Sequence, residues 1–155
     1  MNIQERIEAL ETEFNEKIKA LKAEAQQGDE FPQEGYEFWF ITSSGDVARM
    51  FWHDDLGQEQ SLSIGNVFKT SEQAEFAVEK LKVEAELRKF SRPFEKGEYN
   101  SYIFFYIDGD YLEVGHKVST PSQGAIYFES EEKAKQVIQS VGEERIKKYI
   151  FGVEG

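Results

Sequence analysis

The chain has 155 residues, 39% of them hydrophobic and 14% aromatic, with 30 acids against 18 bases and a formal charge of −12. That length holds one domain, or two very small ones, with a real core. The charge excludes long-range attraction to free nucleic acid, because such affinity comes mainly from Lys and Arg neutralising phosphates.

There is no cysteine, which removes disulfides, thiolate chemistry and Cys-ligated zinc. No apolar run approaches the roughly 18–20 residues needed to cross a bilayer. The opening "MNIQERIEAL" lacks a basic-then-apolar signal layout. The expectation is a soluble, cytoplasmic protein with no membrane partner and no direct nucleic-acid partner. Net charge bears first on solubility. Its sharper reading is a surface that imitates a polyanion and occupies a nucleic-acid-binding protein.

Residues 2–26 read as one helix, within an N-terminal segment of 1–28. Ile3, Ile7, Leu10, Phe14, Ile18, Leu21 and Ala25 follow steps of 4, 3, 4, 4, 3 and 4. This is a helical seam with one four-residue step where a strict heptad would advance by three. At about 1.5 Å per residue the rod is roughly 40 Å long. Its narrow stripe must pack on its own domain or on copies from other subunits. The second is favoured, because "QQGDEFPQEG" (26–35) follows with Gly, Pro and acids and reads as a linker. Homo-oligomerisation through Ile3, Ile7, Leu10, Phe14, Ile18 and Leu21 is therefore expected.

Residues 36–91 form a first unit. "YEFWFITSSGDVARMFW" is two aromatic-rich strands around "SSGD", a turn signal offering Gly for positive φ and Asp or Ser for local hydrogen bonds. "SLSIGNVF" (61–68) suggests a third short strand. Thr70 and Gln73 then supply a capping box for a helix carrying Ala74, Ala77, Val78, Leu81, Ala85 and Leu87, ending near Phe90 before Pro93. "RPFEKGEYN" (92–100) connects to a second unit, 101–153, with the same order. "SYIFFYIDGDYLEVGH" is strand, turn and strand, and "GAIYF" is a short strand. A helix begins after Ser130, carries Ala134, Val137, Ile138 and Val141, and ends or kinks at Gly142. "EERIKKYIFGV" resumes as a short helix or terminal strand.

"FKTSEQAEFAV" (68–78) and "FESEEKAKQVI" (128–138) occupy matching places, as do "LRKF" and "IKKY". The recurring order reads as an internal duplication of a ββ(β)α unit. The fold class expected is α+β: one domain over 36–153, with an antiparallel sheet and helices on one face, preceded by the coiled-coil-like helix.

Catalytic chemistry is poorly supplied. The only histidines are His53 in "WHDD" and His116 in "VGHK". Adjacent residues of "HDD" point in different directions, so turn chemistry is preferred over a metal site. "DGD" (108–110) lacks the rest of a calcium loop, and no phosphate loop, GxSxG elbow or HExxH is present. The chain is expected to be no enzyme, with no catalytic residue, metal or cofactor.

Binding has two signals. "YEFWF" and "YIFFY" put aromatics on both faces of their strands, so one face is a core and the other is either covered or exposed for stacking a base or gripping a protein. Basic residues cluster as Arg88, Lys89 and Arg92 after the first helix and as Arg145, Lys147 and Lys148 in the second unit. Cations at a helix C-terminus meet the macrodipole favourably. They also suit a pair of anion pockets, each with Phe90 or Tyr149 beside it.

"SIGNVFKTSEQAEFAVEKLKVEAELRKF", followed by "FESEEKAKQVIQSVGEERIKKYIFGV", resembles a widespread family of small accessory proteins of phages and prophages of Gram-positive bacteria. Its members carry G-N-x-F-x-T-x-E-E-A-E-like and G-E-x-x-I-K-K-Y-like stretches. The resemblance covers about residues 36–153 and carries over no catalytic residue. It implies a role against host defences. Two functions are then weighed. One is a non-enzymatic oligomer that sequesters a small anionic, nucleotide-type signal, with Trp39 or Trp52 for stacking and Arg88, Lys89, Arg92, Lys147, Lys148 and Tyr149 around the ligand. The other is an acidic inhibitor, by nucleic-acid mimicry or through an aromatic edge, of a host defence nuclease or other nucleic-acid-binding protein.

Overall fold

Asn2 and Glu5 start the first helix, α1 (Ile3–Gln27). The Asn2 side chain accepts from the Glu5 N–H, and the Glu5 carboxylate accepts from the Asn2 N–H, both at 2.8 Å. This reciprocal cap satisfies two donors that a helix N-terminus otherwise leaves open. The structure, a computed structural model, describes residues 2–27 and 31–154. The Ala25 side chain and residues 28–30 of the expected linker lie outside the described residues. Two compact units divide the chain, Met1–Glu75 and Phe76–Gly155.

In the first unit, β1 (Glu37–Ile41) and β2 (Val47–Phe51) form an antiparallel hairpin registered from Glu37 opposite Phe51 to Ile41 opposite Val47. The "SSGD" signal is the turn. Gly45 takes φ +87 and donates to the Thr42 carbonyl, and the Thr42 hydroxyl accepts from the Asp46 N–H. Phe38 and Trp52 are buried and meet edge to face at 5.6 Å.

The segment 61–68 departs from the expected strand. Asp55 caps a short helix, α2 (Leu56–Ser63), by accepting from the Gln58 N–H, and so claims the first residues of "SLSIGNVF". Only Phe68 pairs with β1, exchanging two backbone hydrogen bonds with Trp39. Between them, the Asn66 side chain behaves as a peptide group. Its Oδ1 accepts from Ile41 N at 2.7 Å and its Nδ2 donates to Ile41 O at 2.8 Å. The ladder is thus continued by a side chain rather than by extended backbone.

The next helix, α3 (Ser71–Arg88), is capped as expected by Thr70, whose hydroxyl accepts from Gln73 N, while the Gln73 side chain reaches back to Lys69 N. The division between the two units falls within this helix. Its later residues Val83 and Leu87 belong to the core of the second unit.

That unit contains β3 (Asn100–Tyr106), β4 (Tyr111–Lys117) and β5 (Tyr127–Phe128), hydrogen-bonded in the order β4-β3-β5. Ser130 caps α4 (Glu131–Val141), and Gly142 at φ +107 ends it before α5 (Glu143–Tyr149). The α+β class expected from sequence holds. The strands divide between two small antiparallel sheets rather than one. Each set nevertheless places its third element against the first strand, and each ends at a Phe, Phe68 or Phe128, just before a capped helix.

On β3 the aromatics separate by face. Ile103 packs towards the core and Phe105 meets Phe151 at 6.2 Å, whereas Tyr102 and Phe104 meet each other at 5.9 Å on the other side. The Tyr102 ring lies over Gly115, where an added Cβ would come within 2.8 Å of it. Glycine there is a packing requirement.

Candidate functional site

A cleft of about 260 Å³ opens in the second unit. One wall is the last turn of α3, where Leu87 turns inward and Glu84 and Arg88 stand beside it. Ile103 of β3 and Phe128 of β5 form the apolar floor. The opposite wall is the loop from Gln123 to Ile126, held by the Tyr127 hydroxyl accepting from Ser122 N at 2.6 Å, with Gly124 at φ +71 allowing the bend. Ile150 and Phe151 close the end. They are brought there by a C-terminal reversal after α5, in which Gly152 takes φ +69 and Val153 N donates to Lys147 O.

Of the residues expected to hold a ligand, Arg88 alone lines this cleft. It is exposed, and its guanidinium makes no ion pair among the described residues. Lys89 is exposed next to it, and Lys148 is exposed with its Nζ 5.3 Å from the Tyr149 ring centre. Tyr149 is half-buried, 5.1 Å from Phe76.

Three other cations are committed to structure. Arg92 donates to the Asn100 side chain at 2.7 Å and to Tyr99 O at 2.9 Å, so it clamps the connector rather than facing a ligand. Lys147 is 7% exposed. It donates to Asp110 O at 2.7 Å, with the carboxylates of Asp110, Glu143 and Glu144 within 3.5–3.9 Å. It pins α5 to the β3–β4 turn, where Asp110 holds a left-handed φ of +53. Arg145 forms a two-pronged pair with Glu86 at 3.0 and 3.1 Å.

Trp39 and Trp52 belong to the first unit, whereas these groups belong to the second. Trp52 is 4% exposed and offers no stacking face, and Trp39 is half-buried on β1.

The Arg145 pair has a pH signature. Its hydrogen bonds hold the Glu86 carboxyl below the usual carboxylate range, with the charges of Arg145 and Lys89 adding to the effect against desolvation. A depressed carboxyl stabilises the folded state above its unfolded pKa, and that contribution is lost as pH falls through the folded pKa. Both side chains are more than a third exposed, so the pair is worth no more than about 1 kcal/mol. Glu86→Gln is expected to lower the urea midpoint slightly at neutral pH and to match the parent chain in acid. An unchanged difference at both would show that the pair does not titrate with folding.

A Ser-His-acid series also occurs: Ser101 Oγ lies 3.1 Å from His116 Nδ1, and His116 Nε2 lies 3.7 Å from Glu131. Ser101 is 0% exposed, so its hydroxyl has no surface to meet a substrate. Glu131 is drawn instead to Lys135 at 2.9 Å, which lowers its carboxyl below the usual range. In "WHDD", Asp55 is the cap of α2 and His53 lies 3.3 Å from Glu34. Among the described residues no group of three or more His, Asp or Glu side chains is placed to hold a metal ion, and no helix is long and apolar enough to cross a membrane.

No family model, curated protein or solved structure matches the chain.

Proposed function

We propose that this chain is a non-enzymatic, self-associating protein that sequesters a small anionic, nucleotide-type molecule in the Arg88 cleft. In keeping with the phage resemblance, the cargo would be a host defence signal in the cytoplasm of an infected cell. The observation that carries the reading is Arg88, a guanidinium with no ion pair among the described residues, at the rim of a cleft whose other side chains are apolar apart from Glu84 and Gln123. Small-molecule sites combine an apolar lining with a few placed polar groups. Arg88 supplies two parallel donors for a phosphate, and Lys89 a second positive charge. Glu84 on the same wall accepts from a hydroxyl or amino group, and Phe151 and Ile126 offer apolar surface.

The volume of about 260 Å³ is near the low end of the ~300–1,000 Å³ of such sites. It suits a nucleoside-sized portion with its phosphates at the mouth. The site lies in the second unit alone, without the tryptophans.

The test is native mass spectrometry of the purified chain after incubation with filtered lysate from phage-infected, defence-activated cells. A retained mass of nucleotide size is expected. Arg88→Ala should weaken binding of that molecule by roughly 10- to 100-fold, the loss of one charge-assisted contact, with the melting temperature unchanged. Equal binding by Arg88→Ala, or no retained small molecule, overturns the assignment. Salt-sensitive capture of a basic host protein, competed by DNA, would favour the acidic-inhibitor reading instead.

A further inference from the structure

The apolar stripe of α1 is symmetric. Its steps of 4, 3, 4, 4, 3 and 4 read the same from either end, with Phe14 at the centre. Reversing the helix about Phe14 places Ile7 at the position of Leu21 and Leu10 at that of Ile18. The charge is divided unevenly about the same centre, and the reversal exchanges Glu11 with Lys17. Before Phe14 stand Glu5, Glu8, Glu11 and Glu13 against Arg6, and after it Lys17, Lys19 and Lys22 against Glu16 and Glu24.

We infer that two copies of the chain pair through α1 in antiparallel orientation, about a two-fold axis at Phe14. The layers of this dimer are Phe14 on Phe14, Leu10 on the second copy's Ile18, and Ile7 on the second copy's Leu21. Beside the seam, Glu13 meets the second copy's Lys17 and Arg6 meets the second copy's Glu24, each pair occurring twice by symmetry. A parallel pairing would lay the acidic half on the acidic half and bring Lys17 to the second copy's Lys22.

The stripe is available for such pairing. Ile3, Ile7, Leu10, Phe14 and Leu21 are 44–75% exposed. Ile18 is half-buried, facing a groove it shares with Tyr36 and Phe51. Most helical stability in proteins comes from packing an amphipathic face, and a bare apolar stripe calls for cover. The dimer deepens the self-association in the proposed function. It rests on α1 alone, so its fate is separate from that of the cleft.

Because the chain has no cysteine, engineered ones report unambiguously. Ile7→Cys and Leu21→Cys, made as separate full-length chains, are mixed and oxidised. Antiparallel pairing predicts a disulfide between the two variants and none within either alone, since equal positions would stand about 21 Å apart, beyond the ~6 Å a disulfide spans. Disulfides within each single variant would establish parallel pairing and overturn the proposal. Should either substitution dissociate the chains, Arg6→Cys with Glu24→Cys and a short bismaleimide asks the same question on the flank. Native mass of the unmodified chain should be that of a dimer, and Phe14→Glu should reduce it to the monomer. A monomeric, trimeric or tetrameric parent chain overturns the inference. Small-molecule retention by the Phe14→Glu monomer would show the cleft acting independently.

Discussion

Asn100→Ala is expected to lower the melting temperature by roughly 15–30 °C, the equivalent of about 3–5 kcal/mol in a unit of this size. Asn100 is 0% exposed on the first position of β3. Its Oδ1 accepts from Arg92 Nη1 at 2.7 Å and from Glu95 N at 2.9 Å, and its Nδ2 is shared among the carbonyls of Glu95, Glu98 and Lys117, each at 2.9 Å. One amide thus ties the connector after α3 to the end of β4. Truncation strands donors and acceptors from both segments, and each buried group left unmade costs about 1–3 kcal/mol. Asn100→Asp separates the two sides of the amide. It keeps the acceptors for Arg92 and Glu95 but turns a carboxylate on three carbonyls, so its loss should be of similar size. A thermal melt followed by circular dichroism decides the matter. A fall of only a few degrees for the alanine variant would mean that water replaces the amide and that the connector is not held by it.

Much of the local structure was legible because its causes are local. "SSGD" names its own turn through Gly45, and Ser130 announces α4 by capping it. The one misjudged segment, 61–68, shows the opposite case. Its alternating composition resembles a strand, yet Asp55 upstream starts a helix across its first residues. Asn66 then satisfies Ile41 with a side chain, leaving Phe68 as the sole backbone pair. Pattern reports which residues suit a sheet but not whether a nearby cap has already claimed them.

The candidate site was less legible, and for a physical reason. Its walls come from α3, β3, the 123–126 loop and the C-terminal reversal, which no spacing in the sequence joins. The basic clusters were visible, but their partners were distant. Arg145 is answered by Glu86, 59 positions away, and Lys147 by Asp110, 37 positions away. Lys17, Arg49, Lys82, Arg92, Lys135, Arg145 and Lys147 each meet a carboxylate on folding. Arg88 is informative because it has none among the described residues and also lines the cleft. The seam of α1 behaves differently: its symmetry is written entirely in one segment, so orientation as well as pairing can be inferred there.

Phe68 and Phe128 head the two copies of the recurring phrase, and their substitution is expected to separate them. Phe128 is 1% exposed, packs with Val83, Leu87, Ala134, Val137 and Ile146, and forms part of the cleft floor. Phe128→Ala removes a ring from a close-packed centre and should cost about 3–5 kcal/mol, transfer and cavity terms together. Phe128→Leu refills most of that space and should cost roughly 1 kcal/mol, leaving a folded chain with a wider cleft and weaker ligand retention. Phe68 is only half-buried, and its backbone pairing with Trp39 survives truncation, so Phe68→Ala should cost less than half as much as Phe128→Ala. Urea unfolding of the three variants measures the order. Equal losses for the two alanine variants would show that the like phrases support like cores. The predicted inequality instead assigns the deeper core to the unit that carries the cleft, where a fixed floor is needed if Arg88 is to hold an anion in one geometry.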